Sequence, residues 1–374
     1  MTTVTDATRG NFNGDLPVLP GGILGSVGDL FLFDDFGDKA IWLENANGGR
    51  LPTSPNGFDL PFTGPTWHVA AIADFDSTVK PQSFLGSSNP RGASDILWVN
   101  DNGDLAIWQS NGSNVNAFPG NENQANLGNP GAGWHVAGAN DFDANFAADI
   151  LFQHDLGNLA IWEFQSASPN PNANNHVLDG APVIKPDGLL NVDQNPGATW
   201  HVVATGDIDG GLVPALGLSA GIVFQNDNGS IAVWEHPTQV GGQIHFNIQS
   251  NLPDPGPGWH VVGLGNTTEA GFPNPQPGQD LVLQNDNGDI AIWQLQIVGN
   301  QVVRVDTGFN LGNPGAGWHV VGVRDMNPDS RADILLQNDN GAAEVWTNIQ
   351  TNGTHDGFHF NPQPNSGQLD WHIV

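Results

Sequence analysis

The sequence predicts an all-β fold, a six-bladed β-propeller closed by pairing of its N- and C-terminal strands in one blade. Three observations predict it. The first is composition. Among 374 residues there are 49 Gly and 27 Pro but only 13% charged residues, and Asn-Gly and Asp-Asn-Gly steps recur along the chain. That pattern describes many short strands joined by tight turns. The second is a double repeat. Trp-His-(Val/Ile) occurs at Trp67, Trp134, Trp200, Trp259, Trp318 and Trp371, and an apolar residue followed by Trp occurs at Trp42, Trp108, Trp162, Trp234, Trp293 and Trp346. The two markers alternate strictly, with a period of roughly 53 to 67 residues, which suits a four-stranded blade with a variable connection. The third lies at the chain ends. Trp371-His-Ile-Val374 is the first strand of a unit, and Gly10 to Asp15 resembles the loop that follows such a strand. Joined, the two ends make one complete unit, and a closed ring leaves no exposed sheet edge. The expected organisation is a single domain over 1–374, with the closing blade shared between 10–66 and 371–374.

One unit shows how each element follows from its residues. Trp318-His-Val-Val-Gly-Val is a first strand, Asp325 to Asp333 a polar loop, and Ile334-Leu-Leu-Gln a second strand. Asn338-Asp-Asn-Gly341 is a hairpin turn, because Asn and Gly accept the positive φ of a type I′ turn. Ala343 to Trp346 is a third strand, and the variable segment after it supplies the fourth. The hairpin recurs at Gln225–Gly229, Gln284–Gly288 and Val99–Gly103, with degraded copies at Gln153–Gly157 and Phe33–Gly37. The segment Phe164 to Thr199 is the longest connection, and its Pro and Asn residues suggest a protruding loop.

The charge balance sets partners. Nine basic residues face 39 acidic ones, a formal net charge of −30. Such a chain repels phosphate backbones and anionic lipid heads, so nucleic acid and membrane surface are poor partners and cations good ones. There is no cysteine, hence no disulfide or thiol chemistry. No apolar stretch is long enough to span a bilayer. Met1 to Asp15 lacks the apolar run of a signal peptide, yet low lysine, high acidity and abundant Asn fit a bacterial protein working outside the cell or at its surface.

The succession of a short apolar strand, an Asp-x-Asp/Asn-x-Asp/Asn-x-x-x-Asp loop and a second apolar strand resembles the FG-GAP or VCBS repeats of integrin-like propellers. The resemblance spans essentially the whole chain. It implies a calcium ion in the loop between first and second strands, and adhesion or ligand binding more often than catalysis. Calcium takes six to eight oxygen ligands. Two loops match the family spacing in full: Asp141, Asp143, Asn145 and Asp149, and Asp325, Asn327, Asp329 and Asp333. Both lack the family's glycine after the third ligand, where Phe146 and Ser330 stand. Three loops are partial: Asn11, Asn13 and Asp15 with a distant Asp29; Asp74 and Asp76 with Asp95; and Asp207 and Asp209, whose closing acid is replaced by Gly221. The loop from Asn266 to Asp280 is nearly devoid of ligands. Asp and Asn also form turns through their own side chains, a reading that needs no metal.

Two further sets recur. The histidines beside Trp (His68, His135, His201, His260, His319 and His372) invite a metal ring, but alternate residues of a strand face opposite ways, which favours hydrogen bonds between blades. The twelve repeated Trp fit packing between blades, with sugar stacking as the other reading. Trp98 breaks the repeat and is a candidate for a private role. No nucleophile elbow, zinc-protease helix or phosphate loop occurs, so catalysis is not expected. The main functional reading is a secreted, calcium-dependent binding protein of lectin or adhesin type, whose partner is a glycan or an extracellular protein. Its repeated hairpins carry the candidate ligand residues Asn100, Asp101, Asn226, Asp227, Asn285, Asp286, Asn338 and Asp339. The alternatives are a protein-interaction scaffold and a polysaccharide hydrolase or lyase.

Overall fold

The computed structural model describes residues 30–34, 39–42, 58–59, 66–75, 94–109, 124–145, 147–165, 184–208, 219–267, 279–305, 309–324, 326, 331–350, 353–360 and 371–373. Among these there is no helix, and the strands form antiparallel sheets arranged as a β-propeller. Five blades are contiguous in sequence. Blade 1 contains β4 (Trp67–Ala73), β5 (Asp95–Asn100), β6 (Leu105–Trp108) and β7 (Gln124–Gly128). Blade 2 contains β8 (Trp134–Asn140), β9 (Asp149–His154), β10 (Leu159–Phe164) and β11 (Ile184–Asn191). Blade 3 contains β12 (Trp200–Gly206), β13 (Gly221–Asn226), β14 (Ile231–Val240) and β15 (Gln243–Asn251). Blade 4 contains β16 (Trp259–Gly265), β17 (Asp280–Asn285), β18 (Ile290–Val298) and β19 (Gln301–Arg304), and β20 (Phe309–Gly312) also pairs with β18. Blade 5 contains β21 (Trp318–Arg324), β22 (Asp333–Asn338), β23 (Ala343–Thr347) and β24 (Asp356–Phe360).

Six equivalent blades were expected; the structure has five full ones and a smaller sheet of different make. In that sheet β25 (Trp371–Ile373) pairs with β1 (Leu30–Asp34), followed by β2 (Lys39–Trp42) and β3 (Phe58–Asp59). Leu32 lies opposite Ile373 and Asp34 opposite Trp371, so strands from both ends share one sheet. The inequality lies in strand length: the first strand, β25, has three residues against seven in every full blade, and the fourth, β3, has two against four to nine. The protruding loop expected after Phe164 falls largely outside the described residues.

The core lies between blades. One cluster joins Leu151, Leu159 and Ile161 of blade 2 to Ile222, Phe224 and Trp234 of blade 3. Equivalent clusters join blades 1 and 2, 3 and 4, and 4 and 5. Both Trp markers sit in them: Trp134 and Trp162 in one, Trp259 and Trp293 in another. The expectation that the repeated Trp pack between blades therefore holds for Trp134, Trp162, Trp200, Trp234, Trp259, Trp293, Trp318 and Trp346. Ile373 of β25 packs on Met326, Leu335 and Val345 of blade 5 in the same manner.

First strands crowd around the axis, which selects small residues there. Each of the five carries a bulge at the same place, as at Val202/Ala204 and Val261/Gly263. A Cβ on Gly263 would lie 2.3 Å from Cγ2 of Val323 in the next blade, so no larger residue fits.

A side-chain latch fastens neighbouring blades. In blade 2 the Gln153 amide donates through Nε2 to the Trp200 carbonyl (2.6 Å) and accepts through Oε1 from the Val202 N–H (3.0 Å). Gln225 does the same to Trp259 and Val261, and Gln284 to Trp318 and Val320. Gln337 accepts from the N–H of Ile373. Each amide thus completes main-chain groups on the open edge of the following first strand. The equivalent residue is Val99 in blade 1 and Phe33 in the composite sheet. At the opposite end of the blades a main-chain link recurs, with Ala148 N–H donating to Asp74 O, Ala220 to Asp141 O and Ala332 to Asn266 O.

Replacing Gln225 by Leu strips partners from the buried Val261 N–H and from Trp259 O. The expected loss is about 1–3 kcal/mol, the cost of stranding a buried polar group. Chemical denaturation measures it, and an unchanged midpoint would refute the latch.

Candidate functional site

Antiparallel strands give the propeller two rims, each carrying one class of predicted site residue. One rim holds the hairpins between second and third strands and the turns that lead into Trp-His. The other holds the polar loops between first and second strands.

The hairpin rim repeats one arrangement five times. His68 of β4 meets Asp101, with Nε2 2.8 Å from Oδ1, and His135–Asp155, His201–Asp227, His260–Asp286 and His319–Asp339 match it at 2.8–2.9 Å. These histidines are 57–62% exposed. The expectation of hydrogen bonds between blades is corrected here, since every described pair lies within its own blade. The reason is register: His201 stands opposite Gln225, two residues from Asp227, so the ring reaches its own hairpin. His372 carries no described side chain. The hairpin asparagines serve the turn. Asn226 Oδ1 accepts from Asn228 N–H, and Asn100, Asn285 and Asn338 accept likewise. Only the glycines of these hairpins, Gly103, Gly229, Gly288 and Gly341, have positive φ, between 83° and 93°, so the expected type I′ turn, which needs two such residues, is corrected to a turn closed by one left-handed glycine. Asn-Pro-Gly turns support the hairpins from the side: Asn129 donates to Asn102 O and Asp104, and Asn313 to Asn287 O and Asp289.

Trp98 has no place on this rim. It is 1% exposed, its ring lies 5.0 Å from that of Trp108, and it occupies the core position held by Phe152 and Phe224 in the next blades. A buried core ring offers no surface to a ligand, so the private role expected of it is corrected to packing.

On the opposite rim the structure gathers part of one predicted metal loop. Asp141, Asp143 and Asp149 each present an oxygen within 4.8 Å of the others. Asn145 stands beside them: its N–H donates to Asp141 and Asp143, its Oδ1 accepts from Ala147 N–H and its Nδ2 donates to Phe164 O. Asp149 is fully buried and accepts from the N–H groups of Phe142 (2.9 Å) and Phe164 (2.8 Å). Burial pushes its carboxyl well above the usual carboxylate range; the two N–H groups pull it down, and the nearby Asp141 and Glu163 carboxylates push it up again. Three carboxylate oxygens on one point suit a hard cation.

The closing carboxylate has a structural task in every full blade. Asp95 accepts from Phe75 N–H, Asp280 from Thr267 N–H and Oγ1–H, and Asp333 from Met326 N–H. In blade 3, where Gly221 leaves that position empty of acid, Glu235 of β14 takes over. It is fully buried, accepts from Ile208 N–H at 3.3 Å, and its Oε1 lies 2.1 Å from where a Gly221 Cβ would stand. The expectation that this loop lacks a closing acid is thus corrected: a neighbouring strand supplies it. The sequence signal was Glu235 directly after the Trp marker, beside a glycine where other blades have Asp. Asp74 and Asp207 stand at the ends of their first strands as expected. Asn11, Asn13, Asp15, Asp29, Asp76, Asp209, Asp325, Asn327 and Asp329 lie outside the described residues.

No family model matches the chain, and no curated protein matches it. Solved structures do. The chain is similar to BBS1N in complex with ARL6DN, at 10% identity and TM-score 0.37, over 86% of this chain and 73% of that one. It is similar to Chaetomium thermophilum Raptor at 11% identity and TM-score 0.44, over 97% of this chain and 26% of that one. It is also similar to the computationally designed Ika8 protein, at 13% identity and TM-score 0.34, over 95% and 87%.

Proposed function

We propose that this chain is a non-catalytic binding propeller, a protein-interaction scaffold whose working surface is the hairpin rim and whose partner carries a basic segment. The observation that carries the reading is the five-fold exposed His–Asp pair. The rim turns also hold Asp104, Asp254 and Asp289, with neither Lys nor Arg among them. A ring of acid without Lys or Arg attracts a cationic segment over several kT, and repetition lets weak contacts add up. Action outside the cell fits the acidic composition. Replacing Asp101, Asp155, Asp227, Asp286 and Asp339 together by Asn is expected to weaken capture of an oligolysine peptide at least tenfold. Calorimetry at low salt reads it, and undiminished capture would sink the rim reading.

A carbohydrate ligand is the second reading, favoured by the near-identical geometry of the five pairs, each beside a half-buried Trp. A glycan array with and without calcium separates the two.

We propose also that calcium seats on Asp141, Asp143 and Asp149. Burial disfavours the charged form of Asp149 that the ion requires, so affinity rises with pH. Excess calcium is expected to raise the melting temperature over that in EDTA, and Asp143→Asn to abolish the difference. Equal curves for the parent protein would remove the ion from the account.

The composite sheet, on this reading, completes a ring of six. Its docking on blade 5 through Ile373 supports the closure. End-on electron micrographs are expected to show six lobes, and five would overturn it.

A further inference from the structure

Two blades depart from the repeat on the rim that bears the polar loops. In blade 3, β14 runs on past Glu235, which stands beside the first residue of β13, and pairs with β15 as far as Val240 and Gln243. These five extra residues span about 16 Å at ~3.3 Å per residue, and opposite them Ile244 and Phe246 are buried against Leu190 and Val192 of blade 2. In blade 4, β18 pairs with β19 as far as Val298 and Gln301. The two ribbons brace each other, with Val302 N–H donating to Ser250 Oγ at 2.8 Å and Asn300 Nδ2 to Asn247 O at 3.5 Å. The positive φ of His236, 56°, re-aims the blade 3 ribbon at its root.

Their composition is unlike the rest of the chain. Asp and Glu number 39 in 374 residues, yet residues 236–251 and 290–305 contain neither. The one Arg in these stretches, Arg304, lies over the Trp293 ring at 4.0 Å. Val240, Val298 and Val305 are 61%, 55% and 44% exposed, three of the five exposed large apolar residues among those described. Most of the polar residues between them are amides, including Gln239, Gln243, Asn247 and Gln301, alongside Thr238 and His245, which pairs with Asp193. Depletion of charge with exposed aliphatic tips marks a contact surface.

We infer that these paired ribbons bind the same ribbons of a second copy of this chain, forming a two-fold dimer. Charge and hydrogen-bond chemistry select that occupant. Two copies carry −30 each, so contact over most of the surface sets carboxylate against carboxylate. On the ribbons this repulsion is weaker, since they carry no acid of their own and Asp193, which lies against them, is paired with His245 at 3.0 Å. A two-fold interface must also complement itself. Carboxylates cannot do so, because they only accept, whereas amides donate and accept, and valines pack on valines.

The exposed valines take no part in the His–Asp pairs, so the inference stands apart from the proposed basic partner. The full chain in sedimentation equilibrium is expected to dimerise, with association unchanged or strengthened by added salt. Val240→Asp with Val298→Asp is expected to weaken it at least tenfold, with the rim carboxylates intact and oligolysine binding retained. A monomer up to about 100 μM, a weak limit for a specific interface, would overturn the inference, as would a dimer indifferent to the two substitutions. The chain has no cysteine, so Gln243→Cys introduces a single thiol on the ribbon. A short bis-maleimide is expected to link two copies through it, and failure to link them at concentrations where the protein sediments as a dimer also counts against the inference.

Discussion

Blades of a propeller meet through side chains, yet each first strand turns one edge of main-chain N–H and C=O groups toward the neighbouring blade. Buried groups of that kind need partners. Here a glutamine amide provides them, since its C=O and NH2 imitate the acceptor and donor of a peptide unit. Gln153, Gln225 and Gln284 each close one donor and one acceptor in the following blade. Where it is present, this fastening sets how neighbouring blades meet; blade 1, with Val99 in its place, meets blade 2 through apolar packing. Blades so held stack their Trp and aliphatic faces, crowd their first strands, and require glycine and alanine near the axis.

The opposite rim solves a related problem with carboxylates. The loop after each first strand must turn sharply, and a buried acid from the second strand holds its N–H groups. Blade 3 shows that the requirement is for a carboxylate at that point, not for a residue at that sequence position, because Glu235 serves from another strand. The closing acids thus have a task that needs no metal. Among the described residues, Asp141, Asp143 and Asp149 of blade 2 bring three oxygens together.

Much of the fold was legible because it rests on local chemistry. The Trp markers, Asn-Asp-Asn-Gly turns and strand order are each fixed within a few residues. The pairing of β1 with β25 was legible from the incomplete units at the ends. What escaped was information carried between strands. Gln225 stood in the repeated hairpin motif, but nothing local says that its amide reaches the next blade. His201 was assigned to the wrong partner because alternation gives the face of a side chain, not its length or its reach along the strand. Trp98 looked exceptional by identity, although its position is that of an ordinary core aromatic.

The pairing of β1 with β25 also bears on how the chain folds. Within blades 1 to 5, sheet contacts and latches join segments separated by a few tens of residues, and such contacts form early. Leu32 and Ile373 come from opposite ends of the chain. Closing a loop roughly tenfold longer adds only about 2 kcal/mol of entropy, but it rewards the chain only after the intervening blades have set the ends at the right distance. Assembly should therefore be sequential, with the composite sheet last. Until it forms, blade 5 offers the Gln337 amide and the apolar face that Ile373 covers. A partly assembled chain accordingly holds a sticky end that the finished molecule hides.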